Sequence, residues 1–207
     1  MPYKPQTREY RAISEPFRAI EGGYVVEGYA TTFDAPYDMG EYGARECIRS
    51  TALAGADLSD VIFRYDHEGM VMARQRNHTL ELEIDSHGLK VRADIGGCAA
   101  GRDLYEAIKN GLVDRMSWAF AVADGGWEYD EETRTATVTD ILKVYDVAAV
   151  GIPADQDTEI QARSAYAAGV AECVQRQEMA RLASIEKRNR LKARFEFEME
   201  GLCNAIR

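Results

Sequence analysis

Three side chains on separate segments of the sequence form the combination that acyl transfer requires: Ser117, His67 and Asp146. A serine hydroxyl becomes a strong nucleophile when a base removes its proton, and histidine takes and returns a proton near neutral pH. A carboxylate orients the histidine and stabilises its protonated form. The sequence therefore predicts a nucleophile, a base and an orienting acid, provided that folding brings them together.

Ser117 lies in the segment 115–123, where bulky and small side chains alternate as in a strand. The small face otherwise holds Ala119, Ala121 and Ala123, which leaves space for another chain in front of the hydroxyl. The alternative interpretation is a small polar residue that fills a tight spot. The sequence has no Gly-x-Ser-x-Gly motif, so the nucleophile elbow of the α/β-hydrolases is absent.

His67 follows the strand-like run Val61–Tyr65 and stands between Asp66 and Glu68. We expect its ring at the rim of the core, where it would serve as a general base. The alternative is a surface histidine in an acidic turn. His78 and His87 are predicted to be solvated turn residues, and no third well-spaced ligand accompanies them, so neither a metal site nor another cofactor is predicted.

Asp146 interrupts an apolar row in the predicted strand Ile141–Val150. A buried carboxylate without a partner costs several kcal/mol, so it should be paired, and a histidine is the simplest partner. If the strand register differs by one residue, Asp146 faces solvent instead, and Asp140 at the start of the strand is the alternative acid. The apolar neighbours in the predicted row are Leu142, Val144, Ala148 and Val150.

The segments that must position these residues indicate an α+β chain that is mainly β. Period-two alternation predicts strands, and they do not alternate with helices, so an antiparallel barrel or sandwich with attached helices is favoured over a doubly wound sheet. A short helix is predicted over 46–58 and another over 101–110. The predicted strands cover 24–33, 61–65, 79–84, 89–95, 115–123, 127–129, 135–138 and 141–150.

A chain of 207 residues fits one domain with extensions. Residues 1–21 carry three prolines and little periodicity, which indicates an N-terminal arm. Residues 22–163 form the predicted barrel domain. Residues 164–207 are rich in Ala, Glu, Arg and Lys with an interrupted apolar stripe, which predicts a long charged helix as a C-terminal extension.

The charge distribution indicates the class of partner. Residues 21–162 hold 12 basic and 27 acidic side chains, a net charge of −15. Such a body repels phosphate backbones, so direct nucleic-acid binding is disfavoured and a protein partner is expected. The longest apolar run, 147–152, is too short to span a membrane. The four cysteines are scattered without a Cys-x-x-Cys pair, which is typical of a reducing compartment.

Around Ser117, His67 and Asp146 the chain resembles the HK97-type prohead proteases, the maturation proteases of tailed-phage capsids. The resemblance spans about residues 22–163, and the order and spacing of its short motifs carry it. The motifs are Gly28-Tyr29-Ala30 with Phe33, Asp66-His67, Thr79-Leu80 with Gly88-Leu89, Gly111 with Met116-Ser117-Trp118-Ala119-Phe120, and Asp146-Val147-Ala148-Ala149-Val150 with Pro153-Ala154.

The resemblance implies a serine endopeptidase with a herpesvirus-protease-like barrel. It would act in the host cytoplasm inside the immature capsid, remove scaffolding segments and often itself, and be homo-oligomeric. His67 would be the base and Ser117 the nucleophile. The family often has Glu-Val-Ser where this chain has Asp146-Val147-Ala148, so Asp146 would be the third member with a shorter reach. The alternatives are a non-enzymatic scaffolding protein and, less favoured, a small-molecule esterase.

Overall fold

Thirteen β-strands and two α-helices make up the described part of the computed structural model, residues 8–13, 17–39, 44–151 and 156–205. The expectation of a mainly β chain with attached helices is confirmed. The elements are β1 (Glu9–Ile13), β2 (Arg18–Ile20), β3 (Val25–Thr32), β4 (Tyr37–Asp38), β5 (Arg45–Ile48), β6 (Ile62–Tyr65), β7 (Glu68–Arg74), β8 (Leu80–Ile84), β9 (Gly88–Asp94), α1 (Ala99–Lys109), β10 (Arg115–Val122), β11 (Trp127–Asp130), β12 (Thr135–Val138), β13 (Ile141–Val150) and α2 (Gln156–Ala205).

The described strands form three open sheets and no closed barrel. Their orders are β1-β10-β13-β6-β7, β11-β12-β5-β4 and β2-β3-β9-β8. Most neighbours are antiparallel, but β6 is parallel to β13 and β5 is parallel to β12. The described strands therefore do not form the predicted antiparallel barrel. The partners in each parallel pair are distant in sequence, so no hairpin turn forces them to run in opposite directions.

The period-two alternation of side chains predicted the bounds of most strands to within one or two residues. The hairpins β8–β9 and β11–β12 form as predicted, and β13 has the predicted bounds. The helix predicted over 101–110 is α1. The long C-terminal helix is also present, with bounds Gln156–Ala205.

Two segments differ from the sequence prediction. The short helix expected over 46–58 is absent: residues 45–48 form β5, and turns follow. Tertiary pairing with β12 overrides the local helical tendency there. Within the predicted arm, β1 pairs with β10 and β2 pairs with β3. Residues 1–7 of that arm and the motif Pro153-Ala154 lie outside the described residues.

Strand β10 separates the core from the site. Its bulky residues Met116, Trp118 and Phe120 are buried in the main hydrophobic cluster, with Phe63 of β6 and Val147 of β13. The Trp118 and Phe120 rings stack at 4.2 Å between centroids. The alternate residues of β10 point to the opposite face. Core packing thus fixes the register of the strand that carries Ser117.

The chain divides into two compact units, residues 1–170 and 171–207. The second unit is the later part of α2, and its described surface carries ion pairs one helical turn apart. Glu178 pairs with Arg181 and Glu186 with Arg190. None of the described helices combines the length and apolar character that a membrane crossing requires.

Candidate active site

Ser117 and Asp146 lie on one face of neighbouring strands. In the pairing of β10 with β13, Ser117 is opposite Ala148, and Ala119 is opposite Asp146. Residues two apart on a strand share a face, so all four lie on the face opposite the core. Ser117 and Asp146 are only 4% and 3% exposed. The carboxylate predicted to be buried is buried, beside the small residues of the Ser117 face.

The apolar row predicted for Asp146 was wrong in one respect. Phe120 pairs with Val144 while Ala119 pairs with Asp146, so Tyr145 is an extra residue, a β-bulge. The bulge reverses the alternation along β13. Val144 therefore packs in the core, and Asp146 faces away from it. A second register shift, between Ala121 and Val122, leaves Leu142 opposite no residue of β10, and Leu142 is 37% exposed.

His67 reaches this face from a tight turn between β6 and β7. Tyr65 pairs with Glu68, which leaves Asp66 and His67 as the two turn residues. Both have positive φ, 51° and 57°, as a type I′ turn requires. Non-glycine residues pay about 1 kcal/mol or more for this conformation, and such strain concentrates at functional sites. The Arg64 side chain donates to the His67 carbonyl at 3.0 Å and supports the turn.

The three predicted residues meet in one hydrogen-bonded cluster. His67 Nε2 lies 2.6 Å from Ser117 Oγ, and His67 Nδ1 lies 2.5 Å from Asp146 Oδ1. The side chains of His67 and Asp146 are 12% and 4% exposed. The alternative acid, Asp140, is exposed at the start of β13. Asp146 is thus the carboxylate that contacts the ring.

The positions of the partners determine what the imidazole does. A carboxylate accepts hydrogen bonds, so Nδ1 carries the hydrogen and donates it to Asp146. This tautomer leaves the lone pair of Nε2 free to accept the Ser117 hydroxyl proton. The arrangement is suited to general-base activation of the serine and to stabilisation of the imidazolium that results.

Tyr10 is a neighbour of the site that the sequence analysis missed. Its ring packs edge-on against the His67 ring, with 4.8 Å between centroids and 73° between planes. The next residue on the same face of β1, Ala12, lies opposite Ser117. Strand β1 thereby closes one side of the site. The alternation of polar and apolar residues over 9–13 could have indicated a strand. It was not interpreted in that way because the residues on the buried face of this strand are charged.

Those charged residues form a buried cluster that holds β1 in place. Arg11 donates to Glu46 of β5 from Nε at 2.5 Å and from Nη2 at 2.7 Å, and it contacts Glu9 at 3.1 Å. Tyr37 donates to Glu46. Arg11 is shared between two carboxylates. At Glu9 the loss of hydration on burial, which favours the neutral acid, outweighs the attraction of Arg11, which favours the carboxylate. The pKa of Glu9 is therefore raised from 4.5 to about 7.

Among the described residues, no group of three or more His, Cys, Asp or Glu side chains is arranged to hold a metal ion. Comparisons with curated proteins and with solved structures gave no match. A family model described as caudovirus prohead serine protease matches residues 13–172, a range that contains His67, Ser117 and Asp146. That match covers well over half of the sequence, so the chain belongs to the caudovirus prohead serine protease family.

Proposed function

We propose that the protein is the capsid-maturation serine endopeptidase of a tailed phage, with Ser117 as nucleophile, His67 as general base and Asp146 as the orienting acid. The observation that carries the proposal is the pair of hydrogen bonds through His67, 2.6 Å to Ser117 and 2.5 Å to Asp146. Membership of the prohead serine protease family supports it independently.

In the proposed reaction, His67 Nε2 takes the Ser117 proton while Oγ forms a bond to a peptide carbonyl carbon. The carbon–nitrogen bond then breaks, and the imidazolium returns the proton to the leaving amine. Water, deprotonated in turn by His67, hydrolyses the acyl-enzyme and releases the second product. Throughout, the Asp146 carboxylate keeps Nδ1–H oriented and stabilises the positive charge on the ring.

The proposed substrate is the scaffolding segment of the capsid precursor, cleaved inside the immature capsid in the host cytoplasm. We also propose that residues 22–163 form the protease body. An arm precedes this body, and a helical extension, residues 164–207, follows it. We propose that the arm or the extension docks in the assembling shell and that the protease is a homo-oligomer. We also propose that self-cleavage trims the extension, the part of the arm that precedes Arg8, or both.

Co-expression with the capsid protein of the same phage tests this function. Wild-type protein should convert the capsid precursor to a shorter product, whose termini mass spectrometry identifies. Ser117→Ala and His67→Ala should fold and leave the precursor intact, because removing a member of such a unit costs about four to six orders of magnitude in turnover.

The matched control is Ser86→Ala, at an exposed turn serine, which should cleave like wild type. Cleavage by Ser117→Ala would refute the assignment of the nucleophile. An uncleaved precursor in every variant, wild type included, would favour the alternative of a non-enzymatic scaffolding protein.

A further inference from the structure

A cleft of about 370 Å³ lies at the Asp146 end of the site. Its described lining includes Asp146 but neither Ser117 nor His67. The charged residues around it come from four separate parts of the first unit: Arg8, Asp60, Arg64, Arg76, Lys143 and Asp146.

The cleft is cationic although the body around it is strongly acidic. Four of these six charged side chains are basic. Both acids are already engaged, since Asp146 contacts His67 and Asp60 pairs with Arg76 at 2.6 Å. Lys143 in turn pairs with Asp57, so the excess positive charge of the cleft comes from Arg8 and Arg64. Hydrogen bonds from Arg74 also hold the pKa of Asp60 below its usual value. The local charge is therefore opposite to the net charge of −15 that residues 21–162 carry.

Two arginines of the cleft are not neutralised by a described carboxylate. Within the described part of the chain, neither Arg8 nor Arg64 forms an ion pair with a carboxylate. The Arg8 guanidinium lies 4.2 Å from the centroid of the Tyr145 ring, and such stacking leaves its N–H edges free for a planar acceptor. Arg64 Nε is buried and makes no hydrogen bond, and a buried donor without an acceptor costs about 1–3 kcal/mol.

We infer that this cleft is a specificity pocket that binds a carboxylate side chain of the polypeptide substrate. A carboxylate is planar and accepts two parallel hydrogen bonds, which matches a guanidinium edge. Asp146 lines the cleft and also contacts His67, so the cleft borders the reacting groups. The inference rests on the proposed function, because it gives the peptidase a preference for Glu or Asp.

The strand register gives the distance between the pocket and the scissile bond. Lys143 of the cleft lies opposite Ala121, four residues along β10 from Ser117. Four residues of strand span about 13 Å, and an extended substrate needs about four residues to cover that distance. The preferred acidic residue should therefore stand about four positions from the scissile bond.

The kinetic test uses quenched fluorescent peptides derived from the mapped capsid cleavage site, with Glu or Gln at each position in turn. Wild-type protein should cleave the Glu peptide about tenfold more efficiently than the Gln peptide at one position near the fourth. Arg8→Gln should abolish that ratio by lowering kcat/KM on the Glu peptide. The control is Arg18→Gln, at an arginine whose side chain is 70% exposed on β2, and it should keep the ratio.

A binding test separates failure of the pocket from failure of the proposed function. Fluorescein-labelled acidic peptides and their Gln counterparts are titrated into Ser117→Ala protein and followed by anisotropy. The acidic peptide should bind about tenfold more tightly, and adding Arg8→Gln should remove the difference. Higher salt should reduce it.

Equal binding of the two peptides, or a preference that survives Arg8→Gln, would overturn the pocket whether or not the protein cleaves peptides. Binding of inorganic phosphate in the cleft without discrimination between peptides would also overturn it. A clear binding preference in a protein that never cleaves would refute the peptidase function and keep the pocket.

Discussion

The hydrogen bond between His67 and Asp146 should appear as an energetic coupling in a double-mutant cycle. In His67→Ala the carboxylate, 4% exposed, loses its ring partner. A buried group left unsatisfied costs about 1–3 kcal/mol, and the upper part of that range applies to a charged group. Asp146→Ala should cost less, about 1 kcal/mol, because the His67 ring is 12% exposed and its Nδ1–H can donate to water instead.

In the double variant no orphaned carboxylate remains, so its cost should fall below the sum of the single costs. We expect a coupling of about 1–2 kcal/mol. Urea unfolding followed by tryptophan fluorescence measures each free energy of unfolding, with the m-value held as a check on two-state behaviour. The control pair is His67→Ala with Asp130→Ala, since Asp130 is exposed and accepts hydrogen bonds in its own turn.

Additivity of His67→Ala and Asp146→Ala within about 0.5 kcal/mol would refute the reasoning, because residues without a shared interaction behave in that way. A coupling equally large in the control pair would also refute a specific interaction between His67 and Asp146, since it would reflect a general change in the unfolded state.

Three further predictions concern a strained turn residue, a buried carboxyl group and a closely packed glycine. Asp66→Gly should raise the free energy of unfolding by about 0.5–1 kcal/mol, because glycine adopts positive φ without the penalty that Asp66 pays. Glu9→Gln should gain stability over wild type by up to about 3 kcal/mol as the pH rises from 4.5 through about 7. Gly101→Ala should cost about 1–3 kcal/mol, because its Cβ would lie 1.9 Å from the Ile95 carbonyl oxygen, whereas Gly97→Ala has nothing within 4 Å and should be nearly neutral.

The sign for Glu9 follows from linkage. A folded-state pKa above the unfolded value gives a contribution to stability that is complete below pH 4.5 and lost as the pH rises through about 7. Chemical denaturation over that pH range checks it, and a constant difference between Glu9→Gln and wild type would contradict it.

Thermal melts check the substitutions at Asp66, Gly97 and Gly101. Equal melting temperatures for Gly101→Ala and Gly97→Ala, or a lower one for Asp66→Gly than for wild type, would contradict those predictions.

The strands that carry Ser117 and Asp146 were predictable from the sequence, but the bulge and the strand pairings that orient the side chains were not. Ser117 stands in a strand whose alternation is unambiguous, so its face was predictable. Asp146 was predicted to be buried, but the bulge at Tyr145 was not, because a single extra residue leaves no mark in the pattern of apolar residues. The catalytic roles of the three residues stay a prediction.

Strand β1 was missed for a different physical reason. Its inward residues Glu9 and Arg11 are charged, and binary patterning assigns charged residues to solvent. They are buried because Glu46, on a strand distant in sequence, pairs with Arg11. Residues 45–48 form a strand instead of the predicted helix because they pair with β12, which is also distant in sequence. Local patterns contain no information about such partners.

Active-site labelling measures whether Ser117 is a nucleophile that His67 activates. A fluorophosphonate probe is applied to the full-length protease assembled with its capsid protein, and the modified residue is identified by peptide mass spectrometry. A serine activated by His67 should give a single adduct on Ser117 that disappears in His67→Ala, while circular dichroism shows both proteins folded. An adduct on another serine, undiminished labelling in His67→Ala, or no adduct on folded wild-type protein would contradict it.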